Sequence, residues 1–165
     1  MEQMMSEGEV PEGFTVALAL VDAVPVVLFG VAVVMLGVKI GNPVFVLGAV
    51  LACMGGAGKV AWKFVMALAG KNVGWLARQM RFTMPLGFVL MIAGLVLAGG
   101  DALAVLGALT GMPSVLLLVV WLVCMCAMGY FAGHRDQSSA RDNWVEQLVN
   151  AAGQAALLAA VLLAG

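Results

Sequence analysis

Five stretches of about twenty apolar residues with few charges follow one another along this chain, and they constrain its fold more than any other feature. A helix rises 1.5 Å per residue, so about 20 residues cross the roughly 30 Å apolar core of a bilayer. Inside that core each backbone N–H and C=O must be satisfied within the protein, which leaves helices as the structure for single apolar runs of this length. The runs lie at about 14–38, 43–68, 83–100, 112–133 and 140–164. The expected fold class is all-α: a polytopic integral membrane helix bundle with five transmembrane helices. It forms one domain over 14–165, behind an acidic, mobile N-terminal tail over 1–13.

Composition excludes the alternatives. Of 165 residues, 64% are apolar and only 10% charged, against about 25% charged in soluble domains. A small soluble globule has too much surface to be covered by so few polar side chains. The net charge of -1 supplies no basic field, so no nucleic-acid partner is expected. Cys53, Cys124 and Cys126 are odd in number and lack metal-ligand spacing. His134 is the only histidine, and neither a metal nor a cofactor is expected.

Glu2, Glu7, Glu9 and Glu12 precede the first apolar run, and no Lys or Arg does. A cleaved secretory signal begins with positive charge, so the first run is expected to stay as a membrane span. Orientation follows from the basic residues, which favour the cytoplasmic side. Lys59, Lys63, Lys71, Arg78 and Arg81 flank the second connection, and Arg135 and Arg141 the fourth. With five spans these connections share a side, and only Lys39 falls opposite. The expectation is a multi-pass protein with a cytoplasmic N-terminus, an outside C-terminus and anionic lipids at the basic face. Val73, Leu76 and Met80 share one helical face, which suggests either a short in-plane helix over 71–81 or an ordinary loop. Residues 101–111 are apolar but too few to cross, and they extend a neighbouring helix, lie at the interface, or dip in and return.

Ionisable and amide side chains inside spans are costly, and they mark the candidate site. Asp22 stands near the start of the first run, with Pro25 three residues on. Pro25 has no N–H, frees the Val21 carbonyl and is expected to kink the helix. Lys59 and Lys63 share a face of the second helix. Lys63 is placed to snorkel to the headgroups, and Lys59, one turn deeper, is the expected partner of Asp22. The fifth run carries a polar wedge of Asp142, Asn143, Glu146, Gln147, Asn150 and Gln154. Ser139 and Asp142 have the spacing of a helix-capping box. Among the pairs of glycines four apart, Gly129 and Gly133 are the expected close helix contact.

The candidate ligand or ion pocket is therefore Asp22, Lys59, Lys63, Glu146, Gln147, Asn150 and Gln154, with the helix kink at Pro25. It is expected to open towards the cytoplasm and to be sealed on the far side. The first functional reading is transport or binding of a small polar or anionic solute, coupled to a proton or cation, by a homo-oligomer. A second is a non-catalytic accessory subunit whose polar fifth helix docks a partner. A third is an intramembrane enzyme in which Glu146 and His134 act on a lipid, though no catalytic motif supports it. The same charged cluster also reads as a purely structural ion-pair core.

Overall fold

The computed structural model describes residues 15–134 and 140–164. The acidic tail and the Ser139 arm of the capping box lie outside the described residues. The described residues are helical, with no strand among them. The helices are α1 (Val16–Ile40), α2 (Pro43–Ala69), α3 (Gly74–Arg78), α4 (Met80–Ala98), α5 (Gly100–Leu109), α6 (Ser114–His134) and α7 (Ala140–Leu163). Five helical runs are long and apolar enough to cross a membrane, with α3 and α4 counting as one run over Gly74–Ala98.

Local chemistry sets the ends. Thr15 accepts a hydrogen bond from the Leu18 N–H at the start of α1. Gly41 ends α1 at φ 66°, a left-handed conformation that suits glycine. The Asn42 side chain then accepts from the N–H groups of Val44 and Phe45, and Pro43 occupies the first turn of α2. Two residues thus reverse the chain, which makes α1 and α2 antiparallel neighbours.

The third membrane-length run begins at Gly74, nine residues before the sequence-based start at 83. Gln79 joins α3 to α4 in right-handed helical backbone, at φ -58° and ψ -32°. Its side chain donates to the Gly55 carbonyl of α2 at 3.1 Å. That contact ties the segment to α2; the stretch read from the sequence as either an in-plane helix or an ordinary loop holds the short helix α3. Thr83 and Pro85 therefore lie inside the helix and do not open it.

The contacts run α4, α2, α1, α7, α6. The row is bent around α1. Phe29 of α1 meets Phe88 of α4 with ring centroids 6.0 Å apart. Trp121 of α6 packs on the cluster formed by Ala32, Leu109, Leu157, Ala160 and Val161. The chain must pass from α4 on one flank to α6 on the other, and α5 makes that passage across α1. Gly99, at φ 56° and ψ -114°, breaks the helix there. Residues 100–109 are thus a bridging helix, with Ala102 and Leu109 buried. At the same end, Lys39 of α1 donates to the Val161 carbonyl near the C-terminus of α7 at 3.3 Å. That carbonyl is one of the last four of a helix, which have no partner within it.

Close approach is concentrated between α2 and α4. A Cβ on Gly87 would lie 2.6 Å from the Ala52 nitrogen and 2.7 Å from the Gly48 carbonyl oxygen. A Cβ on Gly94 would collide with the Phe45 backbone. Between α6 and α7 the close contact is Gly153 against Cys124 and Met125. Gly129 and Gly133 have nothing within 4 Å of an added Cβ, so they make no close contact with the described helices of this chain. Those two residues end α6 on a side that no other described helix covers, whereas Gly153 faces the Cys124 and Met125 side chains of α6.

Candidate functional site

The polar side chains within the long helices gather where α1, α2 and α7 meet. Counting from the helix ends shows why. Asp22 is six residues from Val16, Lys63 is six from Ala69, and Glu146 is six from Ala140. At 1.5 Å per residue each sits about 9 Å from its helix end, so the three share one level. Lys59 is ten residues from Ala69, about 15 Å in.

The ion pair forms at that common level. Lys63 Nζ lies 3.1 Å from Asp22 Oδ1, with the two side chains only 2% and 4% exposed. Lys63 also donates to Asn143 Oδ1 at 3.3 Å. One ammonium therefore joins all three helices. This reverses the roles that the sequence suggested for the two lysines. Lys63 is buried and does not snorkel, and Lys59, at intermediate exposure, is not the partner of Asp22. Lys59 and Glu146 are both within electrostatic reach of the Lys63 ammonium. Pro25 is fully buried on the same face of α1, one turn beyond Asp22, and α1 continues through it as a single helix.

The polar wedge of α7 continues the cluster. Asn143, Gln147, Asn150 and Gln154 repeat at i, i+4, i+7 and i+11, which keeps them on one face. Asn143, Glu146, Gln147 and Gln154 are all buried, and Asn150 is half-buried. Gln154 donates to Asn150 Oδ1 at 3.3 Å and to the Met125 sulfur of α6 at 3.5 Å. Asn143 stands out as a functional neighbour beyond the seven candidate residues. Its signal in the sequence was its place one turn before Gln147.

The hydrogen-bond balance of the cluster is uneven. Asp22 Oδ2, Glu146 Oε1, Gln147 Oε1 and Gln154 Oε1 are buried and have no donor. All four are oxygens. A buried acceptor left without a donor costs about 1–3 kcal/mol, so the set as it stands asks for donors or positive charge.

The centre of the site is closed in this structure, whereas the sequence suggests a pocket open at one end in at least one state. Asp22, Lys63 and Gln147 are 3%, 2% and 1% exposed. Two clefts lie elsewhere. One of about 350 Å³ is bounded by Leu36, Lys39, Val105, Leu109 and Val161. The other, of about 330 Å³, is apolar and bounded by Gly30, Val34, Ala49, Val50, Cys53 and Met54. His134 is exposed at the end of α6, where it stacks on Tyr130 with ring centroids 4.2 Å apart. It does not join Glu146 in the buried cluster. Among the described residues no group of three His, Cys, Asp or Glu side chains could hold a metal ion.

No family model matches the chain, and neither a curated protein nor a solved structure matches it.

Proposed function

We propose that this protein is a multi-pass membrane protein that binds and carries a small polar solute through the cluster of Asp22, Lys63, Glu146 and Gln147. The observation that supports this reading is the burial of two carboxylates, an ammonium and several amides at one level of three apolar helices. Ionisable groups at such depth are expensive and mark solute or ion pathways. Lys59, Asn150 and Gln154 extend the polar path along α2 and α7. The bent row of helices does not enclose a channel by itself, which favours a homo-oligomer as the working unit.

The N-terminus lies on the cytoplasmic side and the C-terminus outside, as the basic residues around α3 and at Arg141 direct. That orientation puts the cluster in the cytoplasmic half, next to a leaflet rich in anionic lipid. An accessory-subunit role is the second reading. It is weakened because the polar face of α7 is taken up inside this chain, with Gln147 only 1% exposed.

The test uses the full chain in proteoliposomes on a solid-supported membrane. Concentration jumps of sodium chloride, methylammonium chloride, glycine and sodium lactate are applied, and charge displacement is recorded. The expected result is a current with at least one of them that is reduced in Glu146→Gln. Silence with all four, together with a stoichiometric protein partner on purification from native membranes, would replace this reading by the accessory one.

A further inference from the structure

The orphan oxygens say more about the ligand than the charges alone do. Lys63 brings the only buried ammonium of the cluster, and two of its contacts are already made, to Asp22 Oδ1 and Asn143 Oδ1. What remains on that level is the second carboxylate oxygen of Asp22, one of Glu146 and the amide oxygen of Gln147. Gln147 follows Glu146 directly and lies one turn beyond Asn143, which touches Lys63. Each of the three side chains is more than nine-tenths buried. An anionic solute would add acceptors where three buried oxygens already have no donor, and it would meet two carboxylates. A small cation does the opposite, because it gives each oxygen a positive partner.

We infer that the cluster binds a small monovalent cation between Asp22 Oδ2, Glu146 Oε1 and Gln147 Oε1, beside the Lys63 ammonium. This inference rests on the solute-binding reading and sets its ligand class. Carboxylate and amide oxygens suit hard ions such as sodium and potassium, and equally a primary ammonium that donates N–H groups. On the level of Asp22, Lys63 and Glu146 two carboxylates face one ammonium, which leaves room for a single positive charge. The Gln154 oxygen lies seven residues beyond Gln147, about 10 Å along α7, and marks the next oxygen on the same face. Lys59 bounds the site from α2 and disfavours a second cation there.

The experiment uses the purified full chain in mild detergent at constant ionic strength. Sodium, potassium and methylammonium chloride are titrated against N-methylglucamine chloride as a bulky control. Binding is read by thermal stabilisation and by equilibrium uptake of radiolabelled sodium or methylammonium. Saturable binding of at least one small cation is expected, and which one binds separates the alkali-metal from the ammonium form. Glu146→Gln should weaken that binding by about tenfold or more, the loss expected for one charge-assisted contact. Gln147→Met should weaken it less.

If no small cation binds better than the control, or if Glu146→Gln binds as well as the unmodified chain, the inference is wrong. Should Glu146→Gln fail to fold, Glu146→Asp and Gln147→Met decide the matter: unchanged affinity in both overturns the inference, and reduced affinity in either supports it. The outcome is separable from that of the transport reading. Binding without flux sinks transport alone, and flux of a solute without cation binding sinks this inference alone.

Discussion

Removing one member of the Asp22–Lys63 pair should destabilise the protein far more than removing both. The charges are 3.1 Å apart and almost fully buried. At an effective dielectric constant of about 20, their attraction is about 5 kcal/mol. Taking each ion out of water costs several kcal/mol, so the pair is near break-even against apolar packing. Breaking it is another matter. Lys63→Met leaves Asp22 buried with a second oxygen that already lacks a donor. Asp22→Asn removes the direct ion-pair partner of the Lys63 ammonium, which keeps its contact to the neutral Asn143 oxygen and only the longer-range attraction of Glu146. Each single variant should lose about 3–5 kcal/mol. The double variant Asp22→Asn/Lys63→Met should lose less than either single variant, since neither member of the pair is then left without the other, and its remaining loss reports the attraction between Glu146 and Lys63. The assay is reversible unfolding by sodium dodecyl sulfate in mixed micelles, followed by tryptophan fluorescence. Additive losses in the double variant, or a single variant without loss, would refute this account of the pair.

Three further outcomes follow from the packing. Gly87→Ala should cost about 1–3 kcal/mol by the same unfolding assay, because its methyl meets backbone of α2 that cannot yield, while Gly129→Ala should leave stability unchanged. Lys39→Met removes the donor to the Val161 carbonyl, and hydrogen exchange in the last turn of α7 should quicken while the Lys63 level stays protected. For topology, alkaline phosphatase fused after Gly165 should be active and a fusion within the 135–139 connection inactive. The reverse pattern would invert the proposed orientation.

The Lys59 and Lys63 pair shows how much of the site was legible beforehand. Both lysines, Asp22 and the α7 wedge stand out in the sequence because charge is rare in apolar runs. Which lysine meets Asp22 depends on where the helices end. Once α1 starts at Val16 and α2 ends at Ala69, equal depth selects Lys63. Glycine spacing misled for a related reason. Gly129 and Gly133 have the motif, but a small residue matters only where a second backbone comes near. That happens at Gly48, Gly87 and Gly94. Residues 100–109 were ambiguous alone, because their role is to carry the chain across α1 from one flank to the other.

The order of residues by itself determined the helical class, the number of membrane-length runs and the short list of polar side chains that such runs should not contain. These follow from local and solvent physics: backbone satisfaction without water, and the cost of charge in an apolar phase. Only the tertiary structure decided that Lys63 bridges Asp22 and Asn143, that the cluster is closed, and that its unmet groups are all oxygens. Those facts depend on the relative depth and rotation of three helices, which packing sets through contacts far apart in the chain. The inference of a cation as ligand rests on that arrangement, because unmet oxygens are a property of the assembled cluster and of no single residue within it.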